Sequence, residues 1–367
     1  MKVLHVVKKY PGALGGDAVV VSQLKEQEEA AGHEVRVLTS RCRELLPAAG
    51  VYTFGLQDAS SALDAITIRR LISLLMLGWK AFLVLLKERP QVIHTHSVDM
   101  AFVVSFAAKS LGIPIVHTFH IVTFYDAEQS RLRRLSELLL VRLSGAKVIT
   151  APNSHDVQML NKRGLPAQLL PNGIDLAFWH GKARPKENAV FTFVSVGRLE
   201  KQKGYLYLIQ AVSLLAASTD QPFRVLIIGS GSLQQQIESA ITSYGLSEHI
   251  QYIGQQDPKE VRRLFNTADA AVFPALYETT PLTLLEAWAC QLPVVITSVG
   301  LARSDYFKDA VFSAAVADAE SLKQAMLACM ANKELRVQKQ EKGRAHAERF
   351  AWPSVAQTAL DLYRRVL

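Results

Sequence analysis

The chain has 367 residues, of which 49% are apolar and 20% charged, with 20 glycines and 14 prolines. This composition excludes a disordered, collagenous or coiled-coil polypeptide, and the length predicts two domains rather than one. Lysine and arginine outnumber acidic side chains 41 to 33, a mild excess that suits a phosphorylated ligand or an anionic surface and is too diffuse for a nucleic-acid-binding stripe.

The first predicted strand, Lys2–Val7, runs directly into Lys8-Lys9, so the N-terminus lacks the apolar region and cleavage site expected of a secretion signal. Gly15-Gly16 then precede a helix beginning near Asp17. Glycines at a strand-to-helix turn let backbone N–H groups approach a phosphate, and a plain tight turn uses them too. Strands follow at Glu34–Thr39, Val92–Thr95, Pro114–Thr118, Lys147–Thr150 and Gln168–Leu170. Two helices among them, Leu63–Arg89 and Ser130–Ser144, set cations against an apolar face. In the first, Ser73, Lys80 and Lys87 fall seven apart with Arg69 a turn earlier; the second carries Arg131, Arg133, Arg134 and Arg142. Residues 60–150 hold 11 basic and 6 acidic side chains, a net +5. Each helix reads either as packed with snorkelling cations or as lying on an anionic membrane. The longest apolar stretch, Leu71 to Leu86, is broken by Lys80 and falls short of the roughly 18 residues a membrane span requires.

Aperiodic residues from Asp175 to Val190 predict a linker, after which the alternation resumes at Phe191–Val196, Arg224–Ile228, Ile250–Ile253, Ala270–Phe273 and Pro293–Thr297. Runs such as Val225-Leu226-Ile227-Ile228 are apolar on both faces, as parallel strands covered by helices are. The pattern predicts an α/β chain of two doubly wound parallel-sheet domains facing across a cleft, with ligands beyond the carboxyl ends of the strands.

Chemistry-bearing residues stand at those ends. Arg198 and Lys203, five apart after the strand ending at Val196, could clamp a diphosphate, Arg in bidentate contact and Lys as a point charge; a solvated basic loop would look alike. The stretch from Tyr277 to Ala287 follows the strand Ala270–Phe273 and predicts a helix with Thr280 as N-cap and Pro281 in its first position. Glu278 would then precede the helix and Glu286 lie in its second turn, one carboxylate for a sugar-like hydroxyl and one for a ribose diol. The helix N-terminus between them favours a phosphate.

Together these elements resemble the retaining glycosyltransferases of family 4, which have the GT-B architecture of two Rossmann-like domains. The resemblance rests on Gly15-Gly16, His120 after Ile115-Val116-His117-Thr118-Phe119, Pro171-Asn172-Gly173-Ile174-Asp175, Val196-Gly197-Arg198-Leu199, Lys203-Gly204, and Glu278 and Glu286 with seven residues between them. It implies domains at 1–178 for the acceptor and 179–349 for the nucleotide sugar, with 350–367, beginning Phe350-Ala351-Trp352, as a closing helix that crosses back to the first domain. It further implies that Arg198 and Lys203 hold the donor's diphosphate and Glu286 its ribose. Glu278, with the backbone of Thr279, Thr280, Pro281 and Leu282, would hold the sugar. His120 would sit near the reacting carbon and Gly16 close over the phosphates. The implied enzyme is a cytoplasmic hexosyltransferase of polysaccharide or lipopolysaccharide assembly; the net charge of residues 60–150 and the two basic helices further suggest a glycan or lipid-linked acceptor and a peripheral place at the inner membrane face.

Fixed cations and a helix N-terminus can stabilise a departing nucleoside diphosphate unaided, and no Asp-x-Asp occurs in the chain; no metal and no cofactor beyond the nucleotide sugar are expected. Departures from the family pattern are Thr279-Thr280-Pro281 after the first glutamate, Gln291 for a glycine, and Gly300-Leu301-Ala302-Arg303-Ser304-Asp305, all around the donor sugar. Two rivals remain: another GT-B enzyme, of nucleotide-sugar epimerase or hydrolase type, and a non-catalytic nucleotide-sugar-binding protein.

His94, His96, His117 and His120 cluster at two neighbouring strand ends, but no Cys or carboxylate follows at a ligand spacing. His94 and His117 therefore read as satisfied structural histidines. Gly229-Ser230-Gly231 lacks the third glycine and acidic residue of a dinucleotide fingerprint and reads as a strand-to-helix turn lining the nucleotide cleft. Cys42, Cys290 and Cys329, odd in number and far apart, are expected as reduced thiols of a cytoplasmic protein.

Overall fold

The computed structural model describes all residues except 9, 11–15, 42–48, 56–67, 121–130, 182–188, 279, 300–301 and 303–306, and the side chains of 68–71 and 131–134. Contacts divide the chain into two compact units, Met1–Gly173 with Trp352–Leu367, and Ile174–Ala351. In the first lie β1 (Lys2–Val7), α1 (Gly16–Ala30), β2 (Glu34–Ser40), β3 (Val51–Phe54), α2 (Ile68–Glu88), β4 (Val92–Thr95), α3 (Val98–Ser110), β5 (Ile115–Thr118), α4 (Arg131–Ser144), β6 (Val148–Ala151), α5 (Ser154–Asn161) and β7 (Ala167–Leu169). The second holds β8 (Phe191–Val196), α6 (Tyr205–Ala216), β9 (Phe223–Ile228), α7 (Gln234–Ser243), β10 (Ile250–Gly254), α8 (Pro258–Thr267), β11 (Ala270–Phe273), α9 (Leu282–Ala289), β12 (Val294–Thr297), β13 (Phe312–Ala314), α10 (Ala319–Ala331) and α11 (Lys333–Arg349). The last helix, α12 (Trp352–Arg364), belongs to the first unit.

Each unit is one wholly parallel sheet, in the order β3-β2-β1-β4-β5-β6-β7 and β10-β9-β8-β11-β12-β13. Central strands such as Val92–Thr95 and Val294–Thr297 are buried along their whole length, which is why they read as continuous rather than alternating runs. The strands foreseen from sequence match to within one residue at each end. β3 and β13 were not foreseen: each is an edge strand of three or four residues with polar positions inside, too short to carry a period.

Strand order reverses between β1 and β4 in the first unit and between β8 and β11 in the second. Loops leaving adjacent strands part company at such a point, and ligands bind there. In the first unit His5 of β1 is the register partner of His94 of β4. Against the same sheet, α12 packs beside α1: Trp352, Val355, Ala359, Leu360 and Tyr363 join Val3, Val20, Leu24, Val92 and Val116 in one core. A Cβ on Gly173 would lie 2.3 Å from the Trp352 ring, so the indole needs a glycine there.

Residues 175–181 do not form the expected linker. Ile174 and Trp179 are buried in the second unit's core, Trp179 against Phe265. The Asp175 carboxylate accepts the N–H groups of Ala177 and Phe178, at 2.9 Å each, and so forms the turn that sends Trp179 inward. Residues 182–188 of that segment lie outside the described residues.

Candidate functional site

In the second unit the site is made by two loops that are fastened together. The loop after β8 ends in Gly204, whose φ of 70° is left-handed and whose Cβ, if present, would stand 2.0 Å from the Pro274 carbonyl oxygen of the loop after β11. Leu276 N–H donates to Gln202 O at 2.8 Å, and Gln202 Nε2 donates to Tyr277 O at 3.1 Å. This docking carries Lys203 Nζ onto Glu278 Oε1 in a part-buried ion pair. Lys203, Glu278 and Pro281 line one small cavity with Ser195, Tyr205 and Thr283. Tyr205 donates its hydroxyl to Gly197 O at 3.2 Å, and burial pushes its phenol above the ordinary range.

The helix after β11 starts one residue later than predicted. Pro281 is its N-cap, with φ −66° and ψ 121°, and offers no side-chain cap; Thr280 before it is buried. The Pro281 side chain has no acceptor to offer the first N–H groups of α9; of these, Leu284 N–H donates to Pro281 O at 3.1 Å. Leu282 begins α9, and Glu286 lies in its second turn as predicted. Glu286 is part-buried, and desolvation holds its carboxyl up at about 8, so it is largely protonated at neutral pH. Arg198 is exposed and has no ion-pair partner among the described residues. Its charge adds to the hydrogen bonds from Ser232 that hold the Glu200 carboxylate below its ordinary range.

Gly229 and Gly231 pack against the backbone of the loop after β8. A Cβ at Gly229, where φ is 145°, would lie 1.9 Å from Gly197 O, and one at Gly231 would lie 2.5 Å from Leu199 O. Leu199 N–H donates to Ser230 O and Leu233 N–H to Leu199 O, both at 2.9 Å, so these glycines hold the Arg198 loop in place. Gly15 and Thr279 lie outside the described residues, as does Cys42; Gly16 is exposed as the first residue of α1. Cys290 and Cys329 are buried and are not joined in a disulfide.

In the first unit, His120 is part-buried and leads into a chain of buried groups. Its Nε2 lies 2.9 Å from His96 Nδ1, His96 Nε2 lies 3.0 Å from His5 Nδ1, and His5 Nε2 lies 2.9 Å from Glu28 Oε2. Tyr363 of α12 donates to Glu28 Oε1 at 3.0 Å, and its hydroxyl also lies 2.6 Å from His94 Nδ1. His94 Nε2 lies 2.6 Å from Thr118 Oγ1. Burial lowers His94 and His96 well below the ordinary imidazole range and lowers His120 as well.

His94 is thus the satisfied histidine that its strand position predicted. His117 is not: Nδ1 meets Thr95 Oγ1 at 2.9 Å, but Nε2 has no partner among the described residues, and burial takes this ring down to about 3. His5, His94 and His96 come close enough for a metal, with candidate ligand atoms within 4.8 Å of one another. Yet all six of their ring nitrogens already sit at hydrogen-bond distance from a neighbour. Glu28, His5 and Tyr363 were missed by sequence reasoning, since nothing in their local pattern marks them.

Comparison with known proteins agrees with this layout. The family model described as "Glycosyltransferase Family 4" matches residues 14–178, and that described as "Glycosyl transferases group 1" matches residues 180–346. A glycogen synthase of Mycobacterium tuberculosis is 28% identical over 332 residues, covering 82% of this chain and 78% of its own. A UDP-Gal:alpha-D-GlcNAc-diphosphoundecaprenol alpha-1,3-galactosyltransferase of Escherichia coli is 27% identical over 281 residues, 70% of each chain. Among solved structures, the sucrose-phosphate synthase of Thermosynechococcus elongatus superposes with a TM-score of 0.83 at 20% identity, covering 100% of this chain and 98% of that one.

Proposed function

The chain belongs to the family 4-type glycosyltransferases and has their GT-B fold, and from that premise we propose that it transfers a hexose from a nucleoside-diphosphate sugar, with retention of configuration and without a metal, to a glycan or lipid-linked acceptor. The observation that carries this reading is the fastening of the loops after β8 and β11, which joins Lys203 to Glu278 a few residues before the start of α9. Arg198, Lys203 and the α9 N–H groups bind the diphosphate and stabilise the charge it gains on leaving. Glu278 and the backbone through Leu282 take the sugar's hydroxyls, Glu286 the ribose, and His120 the reacting centre. The E. coli relative supports a uridine nucleotide as donor and a lipid diphosphate within the acceptor, since its name specifies both.

Thermal-shift screening against UDP-, GDP- and ADP-sugars tests the donor, because a ligand that binds only the native state raises its apparent stability. No shift with any of them would overturn the reading. NMR of the product's anomeric proton tests retention, and turnover unchanged by EDTA tests metal independence. His120→Ala should keep the donor shift and lose most of the transfer rate; full turnover would remove His120 from the chemistry. A bound donor that is never turned over, with any acceptor, would favour the non-catalytic rival.

A second reading, attachment to the inner membrane face, is favoured by the exposed faces of α2 and α4. Ile72, Leu75, Met76, Trp79, Leu83 and Leu86 recur at helical spacing on α2, and Leu135, Leu139 and Leu143 on α4, all exposed. Lys80 and Lys87 flank the first stripe, where the sequence had suggested a mainly basic one; the side chains of Arg69, Arg131, Arg133 and Arg134 lie outside the described residues. No helix among the described residues is long and apolar enough to cross a membrane. Such faces suit a helix lying in the headgroup layer. Co-sedimentation with anionic vesicles at low salt is expected, and its absence would end this second reading.

A further inference from the structure

Glu278 receives more than the Lys203 ammonium. Its Oε1 also lies 3.4 Å from Gln202 Nε2, the amide nitrogen that donates to Tyr277 O at 3.1 Å. Two acceptors at one end of the amide place nitrogen there, and its two N–H groups can serve both at once. Among the described residues these are the only hydrogen bonds to the Glu278 carboxylate, and both fall on Oε1. The side chain is 11% exposed, so water alone is a poor substitute for either donor.

We propose that Gln202 is a positioning residue of the donor site, a second donor that keeps Glu278 hydrogen-bonded when a diphosphate draws Lys203 away. The two donors are unequal. An ammonium is the stronger partner for a phosphate, because both ends of the bond are charged, whereas a neutral amide has less to gain by leaving. Lys203 is therefore the one that exchanges and Gln202 the one that stays. As Lys203 withdraws, the contact of 3.4 Å from Gln202 can shorten, so that Oε1 remains held and Oε2 is left for the hydroxyls of the sugar. Only hydrogen bonds change partners. The inference deepens the donor-site reading given above and rests on it.

The rival role for Gln202 is that of a latch, since its amide also holds the loop after β11 through Tyr277 O. The two roles separate by experiment. The link from Leu276 N–H to Gln202 O is made by backbone and survives any side chain at 202. Gln202→Met keeps the length of the side chain and removes both N–H groups. A lost latch acts on every ligand alike, whatever stands at 278. A lost second donor matters only where a carboxylate is stranded. That cost is greatest for a bare nucleoside diphosphate and smaller for a sugar nucleotide, whose hydroxyls can donate to Glu278. It nearly vanishes in Glu278→Gln.

The test is calorimetric titration of the full chain with the sugar nucleotide that thermal shift selects from the UDP-, GDP- and ADP-sugars, and with the matching nucleoside diphosphate. Gln202→Met is expected to weaken the nucleoside diphosphate by about five- to tenfold, the scale of one net hydrogen bond, and the sugar nucleotide by about threefold or less. In the Glu278→Gln background both losses should shrink to within about twofold. Gln202→Glu sets a second carboxylate against Glu278 and offers Lys203 a rival partner, so it should weaken both ligands more than Gln202→Met does. Equal losses for the two ligands that persist in Glu278→Gln would make Gln202 a latch and overturn the proposal. So would a folded Gln202→Met protein, verified by its thermal melt, with wild-type affinities. Should that variant fail to fold, wild type decides, with the Gln202 side-chain amide protons followed by NMR as the nucleoside diphosphate is added. One of them should move downfield as its bond to Glu278 tightens, and a spectrum in which neither moves overturns the proposal. A wild type that binds the nucleotides while these outcomes fail leaves the donor site standing without Gln202; a wild type that binds none of them removes the donor-site reading itself.

Discussion

Both units reverse their strand order at the centre of a parallel sheet, and they fill that place with opposite chemistry. Between β1 and β4 stand rings and hydroxyls that are almost wholly buried and bonded to one another. Between β8 and β11 stand charged side chains held on loops and partly open to solvent, with one ion pair between them. A buried hydrogen-bonded network is fixed by the fold and holds one arrangement, because breaking any link strands a polar group. A part-exposed ion pair is a small fraction as costly to open, so an incoming anion can exchange with it. One unit is built to hold a geometry, and the other leaves its charges open to exchange.

Trp352→Ala should divide the units most sharply. Emptying the pocket that this indole fills over Gly173 and the first sheet should cost about 3–5 kcal/mol, the usual range for a buried tryptophan. Calorimetry is expected to show the first unit melting early while a separate transition and the nucleotide shift survive for the second. A single transition that drops as a whole would contradict the contrast drawn between the units.

Glu286→Gln comes next and reads out on pH. Its carboxyl sits at about 8 in the folded chain against an ordinary 4.5. Between those values the unfolded chain has lost the proton that the native chain keeps, so native stability falls as pH rises, by up to about 1.4 kcal/mol per unit. Glutamine removes that slope. The variant's melting temperature should match wild type at pH 4.5 and below, exceed it increasingly up to about pH 8 and keep a constant margin above that, while its nucleotide affinity drops. Parallel curves across that range would show that the carboxyl is not desolvated.

Arg198→Ala removes an exposed cation with no ion-pair partner among the described residues, so its effect should fall on the ligand alone. Loss of a charge-assisted contact to a phosphate is worth about 1.5–3 kcal/mol, or roughly 10- to 100-fold in nucleoside-diphosphate affinity by calorimetric titration. Stability without ligand should stay within about 0.5 kcal/mol. An unchanged affinity would take Arg198 out of the donor site.

The fold was legible because parallel strands are apolar on both faces and the turns after them carry glycine, cations and carboxylates. The candidates Arg198 and Lys203 after β8, and Glu278 and Glu286 after β11, were picked out that way. What the sequence could not show was pairing across distance. Lys203 and Glu278 lie 75 residues apart and meet only because Gly204 lets two loops touch. Glu28 reads locally as one more acid beside Glu26 and Glu29 on a polar helix. Its partners are 23 residues away in His5 and 335 away in Tyr363, and no period or motif links such positions. Thr280 misled for a local reason: hydroxyls favour N-caps, but here Pro281 takes the cap and Thr280 is buried.

The ion pair itself gives the smallest effect and the finest test of exchange. Lys203 is engaged by Glu278, so on the proposed reading a diphosphate must detach the ammonium before binding it, and the carboxylate must find new donors. A nucleotide sugar supplies both replacements, phosphate oxygens for Lys203 and hydroxyls for Glu278, whereas a bare nucleoside diphosphate supplies only the first. Glu278→Gln should therefore act in opposite directions on the two ligands. Without the competing carboxylate, the nucleoside diphosphate is expected to bind several-fold tighter, since part-buried pairs of this kind are worth about 1 kcal/mol or less. The sugar nucleotide should lose that advantage, because a neutral amide accepts hydroxyl hydrogen bonds less strongly than a carboxylate does. The ratio of the two dissociation constants, measured at fixed ionic strength, isolates the exchange from any general change in charge. If both ligands tightened equally, Glu278 would be only a counter-ion to Lys203, and recognition of the sugar would have to come from the backbone of α9 instead.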